Sequence, residues 1–305
     1  TQLWRKTQAS TERDANTPVC LMVDDTDYPK RGIQTEMIGK VFSHVEHKMI
    51  LGFKGLFLGI TDGATQMLMD FCLVGEKGKK GTYNLKQKQL DARFKKERNE
   101  DSHTAKRIKE YDESKIKLMI EMIKRLISRK IHFDYILADS WFACAEVIRF
   151  VTSRHIKCHY LGMIKMGKTK YHYNRKDYTA KALVALFDHP KKGRKFSRNL
   201  GCYYVTVDVE FAGRKVRLFF TKRNKKSEWN ALITTNTELE FKEAYRIYSM
   251  RWSLEVVFKD SKGNLGLGKY QMRNFASQIA CTAITAMQYN ILATARRFSS
   301  YETIG

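Results

Sequence analysis

One stretch of 15 residues, 248–262, constrains the fold of this chain most strongly. It contains no proline or glycine, and at 100° per residue Tyr248, Arg251, Glu255 and Lys262 fall within roughly a 60° arc. Most of the remaining helix surface is apolar, which predicts a buried helix. A buried stripe of an acid, two bases and a phenol is costly unless each charge has a partner. A metal ion for the carboxylate and phosphates for the cations would supply those partners.

The boundaries of this helix are also predicted from the sequence. Thr237 and Glu240 match an S/T-x-x-E capping box at its start, and Gly263 suits its C-terminal cap. The alternative interpretation is an ordinary helix on which Arg251 and Glu255 form an i,i+4 salt bridge on a solvated face. The surrounding apolar residues favour the buried interpretation.

The charge balance predicts a polyanionic partner. Lysine and arginine number 56 against 32 acidic residues, so the formal charge is +24, and this excess is spread along the whole chain. A globular protein this basic most often binds nucleic acid or an anionic membrane surface. The late apolar segment 279–295 is interrupted by polar residues and predicts a buried helix rather than a membrane span. The six scattered cysteines predict reduced thiols in a cytosolic protein.

Two predicted strands deliver carboxylates at their ends. Residues 19–23 form an apolar run followed by Asp24 and Asp25, and residues 133–138 form another followed by Asp139. Further strands are predicted at 56–60 and 67–74 and helices at 114–130 and 143–154, which together make an α/β unit. The charged segment 84–110 is expected to be helical.

Residues 157–235 predict a basic, β-rich insertion. Strands at 203–211 and 215–220 flank an Ala212-Gly213 turn, and a last strand is predicted at 229–235. Lysine and arginine runs with interleaved aromatic residues surround these strands, which favours a surface that contacts phosphates. The chain begins with threonine, so we expect a trimmed chain from which an N-terminal module is missing.

Three carboxylates, those of Asp25, Asp139 and Glu255, are candidates for one metal site. Such a cluster repels itself unless it binds cations. Carboxylates that hold Mg²⁺ in contact with phosphate are the usual arrangement for this ion. From spacing alone this is only suggestive, because a chain of this size has many acids.

The stretch Tyr248-x-x-Arg251-x-x-x-Glu255-x-x-x-x-x-x-Lys262 resembles the Y-R-E-K signature of DDE transposases of the "insertion sequence 4" family. All four positions match at the family's spacing, and the Trp252 that follows Arg251 is also typical. The runs V-D-D-T at 23–26 and L-A-D-S at 137–140 resemble the two aspartate motifs of that family. The resemblance covers about residues 19–297.

This resemblance implies a ribonuclease-H-like fold, a mixed sheet flanked by helices, with the β-rich insertion between the second aspartate and the glutamate. The implied organisation is an N-terminal remnant at 1–18, the first part of the catalytic core at 19–156, the insertion at 157–236 and the C-terminal helices of the core at 237–305. It also implies metal-dependent DNA cleavage and strand transfer within a paired-end complex of two copies, with transposon ends and target DNA as double-stranded partners. The implied setting is the bacterial cytoplasm, at the nucleoid, with no membrane partner.

The resemblance also assigns roles to residues. Asp25, Asp139 and Glu255 would be ligands of Mg²⁺, with Mn²⁺ as an expected substitute. The DNA phosphates near the scissile bond would be held by Tyr248, Arg251 and Lys262.

Two assignments remain open from the sequence. Asp24 and Asp25 are adjacent in a strand and point to opposite faces, so only one can enter the site; the following Thr26 favours Asp25. Trp229 occupies a position at which hairpin-forming relatives stack a flipped base, and a core tryptophan is an equal alternative. At the level of function, the alternatives are a catalytically inactive, domesticated DNA-binding copy and an ordinary metal-dependent nuclease.

Overall fold

The fold is mixed α/β, with a large, mostly antiparallel sheet flanked by helices. The computed structural model describes residues 1–10 and 17–299. Residues 11–16 of the predicted N-terminal remnant, and residues 300–305 of the predicted C-terminal region, lie outside the described residues. The strands in the described part are β1 (Cys20–Pro29), β2 (Gly39–Ser43), β3 (Lys48–Thr61), β4 (Gln66–Val74), β5 (Tyr135–Ala138), β6 (His159–Ile164), β7 (Lys170–Tyr173), β8 (Lys176–Thr179), β9 (Lys195–Ser197), β10 (Cys202–Phe211), β11 (Arg214–Lys222) and β12 (Asn230–Thr234). The α-helices there are α1 (Gln2–Ala9), α2 (Gln87–Asp91), α3 (His103–Tyr111), α4 (Lys115–Ser128), α5 (Ala145–Val151), α6 (Ala180–Phe187), α7 (Phe241–Ser249), α8 (Trp252–Asn264) and α9 (Phe275–Arg297).

The chain divides into two compact units. The first unit contains Thr1–Thr17, Val23–Ile131 and Trp252–Gly305, and the second contains Pro18–Met22 and His132–Arg251. Strand β1 therefore contributes its first residues to the second unit and the remainder to the first. Among the described residues, no helix has both the length and the apolar character needed to cross a membrane.

In the first unit, helices cover both faces of the sheet formed by β2, β3, β1 and β4. Phe57 of β3 packs on Phe258 of α8, with the ring centroids 5.4 Å apart. Leu58 follows Phe57 in β3 and pairs with Asp70 of β4. The Asp70 carboxylate accepts a hydrogen bond from Arg125 of α4 at 2.7 Å. Because successive strand residues point to opposite faces, α4 and α8 cover opposite faces of this sheet.

In the second unit, β5 pairs in parallel with β6, and an antiparallel series β12, β11, β10, β7 and β8 follows. The short strand β9 pairs with β10 at Cys202–Tyr204. Helix α7 packs on this sheet through Phe241, whose ring stacks on Tyr204 with the centroids 4.2 Å apart. This unit holds the β-rich segment that the sequence predicts.

Two hairpins and one helix follow the sequence closely. The predicted strands at 56–60 and 67–74 are parts of β3 and β4, and the strands at 203–211 and 215–220 are parts of β10 and β11. Ala212 and Gly213 of the predicted turn both have positive φ, 56° and 74°, as a tight hairpin turn requires. Ser114 caps α4 by accepting a hydrogen bond from the Lys117 amide.

The prediction of one continuous, buried helix through 248–262 is wrong. Helix α7 ends at Ser249 and α8 begins at Trp252. Between them, the Arg251 amide donates to the Tyr248 carbonyl three residues back, a tighter turn than the α-helix. The region is also not fully buried, since Trp252 at the start of α8 retains 62% of its accessible surface.

The predicted caps of this region differ as well. The N-cap of α7 is Glu240, whose side chain makes no capping hydrogen bond, so Thr237 and Glu240 do not form a capping box. After α8, Gly266 takes the left-handed conformation, with φ of 70°, instead of Gly263.

Other helices and strands also begin or end at residues that differ from the prediction. Strand β1 runs through the acids to Pro29 instead of ending at residue 23. The charged segment 84–110 forms only the short α2 and most of α3, and the helix predicted at 143–154 shortens to α5. Helix α9 exposes apolar side chains such as Ile284 and Met287, so it is not buried on all sides. The elements that were not predicted from the sequence are β2, β6, β7, β8, β9, α1 and α6.

Lys30 is a buried cation that makes the stability of the first unit depend on pH. Its ammonium group donates to the carbonyls of Gly268 and Tyr270 at 2.9 and 2.7 Å. Burial lowers the pKa of Lys30 from 10.5 to about 8. In the unfolded chain Lys30 keeps its proton to higher pH, so the burial cost of the charge is present below about pH 8 and is relieved as the pH rises toward 10.

We therefore expect wild type to gain stability relative to Lys30→Met between about pH 8 and 10. Urea unfolding at several pH values measures this difference, with Lys259→Met, an exposed lysine on α8, as the control. A difference between wild type and Lys30→Met that does not change with pH would show that Lys30 titrates normally.

Candidate active site

The first unit carries a row of acids on β1 that is neutralised by lysines. The Asp25 carboxylate accepts a hydrogen bond from Lys115 Nζ, at the start of α4, at 2.5 Å. Lys54 of β3, whose side chain is almost completely buried, binds Asp27 and lies 4.0 Å from Asp25. Asp25 and Asp27 therefore share one face of the strand with two ammonium groups.

The charges around Asp27 extend to Lys262 on α8. Burial disfavours the charged carboxylate of Asp27, but hydrogen bonds from Lys54 and Ser43 together lower its pKa below the usual range. Burial lowers the pKa of Lys262; the nearby Lys54 lowers it further, while Asp27 opposes this. A second, external anion near Lys262 would stabilise its charged form.

Glu255 lies on the stripe of α8 that faces the sheet. Phe258 is three residues after Glu255, so both lie on the same side of the helix. Phe258 packs on Phe57, which in turn stacks on Tyr28 of β1 with the centroids 6.3 Å apart. Strand alternation places Asp24 on the same face as Tyr28 and Asp25 on the opposite face.

In the second unit, Asp139 directly follows β5. Its carboxylate accepts a hydrogen bond from the Trp141 amide at 2.9 Å, and its carbonyl accepts one from the Phe142 amide at 3.2 Å. These bonds form a tight turn that leaves the carboxylate half-buried. Asp139 therefore directly follows a strand, as predicted from the sequence.

Asp139 and the signature residue Tyr248 both lie near Tyr160 of β6. Burial raises the pKa of the Tyr160 phenol, and the neighbouring Tyr248 and Asp139 raise it further. The Arg251 guanidinium lies over the Tyr248 ring, 5.9 Å from its centroid. The second unit thus brings together an acid, a cation and two phenols.

Trp229 is held by a polar cluster next to β12. Its indole N–H donates to Asp188 at 3.2 Å, and the Lys222 ammonium lies 4.4 Å from its ring centroid. Asp188 also binds Lys222 and Arg194. Burial works against the charged form of Asp188, but hydrogen bonds from these three side chains together lower its pKa.

The chemistry of the predicted donors suits a hard cation, because carboxylate oxygens are the preferred ligands of Mg²⁺. The described part of the chain contains no group of three His, Cys, Asp or Glu side chains that could hold a metal ion. Around Asp25, the lysine ammonium groups neutralise the carboxylate instead. Metal binding at Asp25 would therefore have to displace Lys115.

Several residues of these clusters were missed in the sequence. No local sequence pattern marks Lys54, Lys115 or Asp188, because each binds a residue that is distant in the sequence. Tyr160 lay in a strand that was not predicted. Asp27 was visible, since it follows Asp25 by two residues and must share its face.

Two family models match the chain. A model described as "DDE superfamily endonuclease" matches residues 1–181, and one described as "Transposase DDE domain" matches residues 101–291. Each covers more than half of the chain, so the chain belongs to the DDE superfamily of endonucleases and transposases. This membership supports a role as a DDE transposase or nuclease, and these families generally depend on divalent metal ions. No curated protein sequence matches the chain.

Among solved structures, the chain is similar to the piggyBac transposase in its synaptic complex with hairpin DNA. The TM-score is 0.51 at 11% identity, and the match covers 95% of this chain and 48% of that one. The chain thus spans about half the length of that transposase, and the likeness concerns the fold. The NurA nuclease from Sulfolobus solfataricus matches with a TM-score of 0.33 at 9% identity, over 98% of this chain and 92% of that one, which is too low to support an argument.

Proposed function

We propose that this chain is the catalytic region of a DDE transposase of the "insertion sequence 4" type. It cleaves the DNA at transposon ends and transfers the cut strands into target DNA, in cut-and-paste transposition. The observation that carries this proposal is its membership of the DDE superfamily through two models, each covering more than half of the chain. The Y-R-E-K spacing supports the narrower assignment, with a ribonuclease-H-like core at 19–156 and 237–305 and an insertion at 157–236.

In this proposal, Asp139, Glu255 and one aspartate of β1 bind Mg²⁺, for which Mn²⁺ can substitute. When bound, the metal activates the attacking oxygen and stabilises the leaving oxygen. The resemblance assigns Asp25 as the β1 ligand. The ion pairs of Asp25 with Lys115 and Lys54 instead favour its neighbour Asp24.

The proposed DNA-binding residues are Tyr248, Arg251, Lys262 and Trp229. Arg251 and Lys262 bind phosphates as cations, and Tyr248 adds a hydroxyl contact. The buried Lys262 gains most from a phosphate, because the anion would offset the burial that lowers its pKa. Trp229, fixed by Asp188 and Lys222, stacks on a base.

The proposed partners are double-stranded DNA, as transposon ends and target, and a second copy of the chain in a paired-end complex. The proposed location is the bacterial cytoplasm, at the nucleoid. The charge of +24 supports the DNA partner, because phosphate neutralisation dominates the affinity of proteins for DNA.

One observation favours an alternative, a catalytically inactive DNA-binding protein derived from a transposase. The ion pairs with Lys115 and Lys54 occupy the Asp25 carboxylate, which would otherwise be available to bind a metal ion. Strand cleavage separates the two functions. A plasmid carrying the DNA that flanks the gene is the substrate, with Mg²⁺ or with a chelator.

The proposed function predicts strand breaks at the element ends that require the metal and join to a second plasmid. Cleavage without joining would indicate a nuclease, and specific binding without cleavage would indicate the inactive protein. Neither specific binding nor cleavage of the plasmid would contradict all three.

The two aspartates of β1 are distinguished by Asp24→Asn and Asp25→Asn. Because Lys115 and Lys54 already neutralise Asp25, we expect Asp24→Asn to lower the cleavage rate more, by at least about 100-fold, since even indirect partners of a metal contribute 10–100-fold. Asp25→Asn should chiefly lower the free energy of unfolding, because it removes the charge between Lys115 and Lys54. Single-turnover cleavage and urea unfolding of both variants measure this. The reverse order of cleavage rates would select Asp25.

A further inference from the structure

A row of side chains crosses one face of the sheet in the second unit. Phe196 of β9 lies directly opposite Tyr203 of β10, and Tyr203 lies directly opposite Lys222 of β11. Residues paired in this way point to the same face. Lys222 in turn contacts the Trp229 ring. The row therefore runs from Phe196 to Trp229 across three strands.

The middle of this row is fixed by one carboxylate. Asp188, at the C-cap of α6, binds Lys222, Arg194 and the indole N–H of Trp229. The Arg194 guanidinium also lies over the Tyr203 ring, 5.3 Å from its centroid. Its ion pair with Asp188 therefore holds Tyr203 in place, and Tyr203 supports the next aromatic ring in the row.

That next ring, Phe196, forms the exposed end of the row. It packs edge-on against Tyr203 with the centroids 5.0 Å apart, yet it retains 52% of its accessible surface. Strand β9 has three residues and pairs only with β10 among the described strands, so it is an edge. The exposed ring at this edge is therefore accessible to another molecule.

The surroundings of Phe196 are strongly positive. From His189 to Val207 there are five basic residues and no acidic residue. Arg198, two residues after Phe196, is exposed and forms no ion pair within the described part of the chain. An exposed aromatic face among unneutralised cations is complementary to a base with its phosphates, and not to an apolar protein surface.

We propose that Phe196 is a stacking platform for an unpaired DNA base, with Arg198 binding an adjacent phosphate. This inference rests on the proposed function, since it assumes that the chain binds DNA. The base must be unpaired, because a base within a duplex is covered on both faces by its neighbours. Since the row holds the ring in place beforehand, little conformational freedom is lost on binding.

The test compares two fluorescein-labelled probes by anisotropy, a blunt duplex and the same duplex with a single-stranded thymidine overhang. For Phe196→Ala we expect the affinity for the overhang probe to fall about 5- to 150-fold, the range for loss of one base–aromatic stack, with little change for the blunt duplex. Phe196→Trp should retain overhang binding. The matched control is Phe298→Ala, which removes a phenylalanine of similar exposure, 53%, from the end of α9.

The outcomes separate this inference from the proposed function. If wild type binds DNA but Phe196→Ala binds both probes like wild type, or weakens both equally, the stacking platform is contradicted and the proposed function stands. If wild type binds neither probe, both are contradicted. A loss confined to the overhang probe, with Phe298→Ala unchanged, supports the platform.

Discussion

Replacing Glu255 with glutamine is expected to lower single-turnover DNA cleavage by at least about 100-fold, while DNA binding stays close to wild type. The magnitude follows because Glu255 is a proposed direct ligand, and even indirect partners of a metal contribute 10–100-fold. Binding is retained because glutamine has a similar shape and the proposed phosphate-binding cations are untouched. Cleavage in Mg²⁺ and gel-shift affinity are measured on the same preparation.

The matched control for this prediction is Asp260→Asn, which neutralises another acid on α8. It should cleave like wild type. Asp139→Ala is expected to behave like Glu255→Gln, although it also removes the acceptor of the Trp141 amide, so its folding must be checked by thermal unfolding. Normal cleavage by Glu255→Gln would show that this acid forms only a structural ion pair.

The second large effect is the dependence of DNA affinity on salt. With a net charge of +24, we expect six to ten phosphate contacts, for which affinity falls about 10³- to 10⁵-fold between 50 and 200 mM salt. The physical cause is release of the counterions condensed on the DNA. Anisotropy titrations of the blunt duplex at several salt concentrations measure the slope.

A single basic residue gives a sharper form of the same test. Arg198→Gln should reduce the logarithmic salt slope by about one, because one phosphate contact is removed. Lys259→Gln changes an exposed lysine of α8 outside the insertion; it is the comparison and should leave the slope unchanged. A nearly flat salt response of wild type would remove the electrostatic argument for a DNA partner.

The sequence predicted those parts of the fold whose signals are local. The β3–β4 hairpin follows from two apolar runs around turn residues, and the β10–β11 hairpin follows from two predicted strands around the Ala212-Gly213 turn. Helix α4 follows from Ser114 and helical periodicity. The break between α7 and α8 has no such signal, because neither proline nor glycine lies at Met250 or Arg251. The local pattern favours one helix, whereas the chain forms two.

The residues of the candidate site differ in the same way, since some have a local sequence signal and others do not. Asp139 could be predicted, because an acid that directly follows an apolar strand is visible in sequence. Its proximity to Tyr160 could not, since β6 was not recognised. The neutralisation of Asp25 was also unpredictable, because Lys115 is 90 residues away and only the packing of α4 brings them together. Asp188 and Trp229, 41 residues apart, illustrate the same limit.

The most direct measurement of the central claim is the position of a bound divalent ion. Crystals of the chain with cognate DNA and Mn²⁺ would locate the metal by anomalous scattering. The proposed function predicts a Mn²⁺ ion bound by Asp139, Glu255 and one aspartate of β1, beside the scissile phosphate. A DNA complex in which Mn²⁺ binds elsewhere, or in which Asp139 and Glu255 contact no metal while the DNA is cleaved, would contradict it.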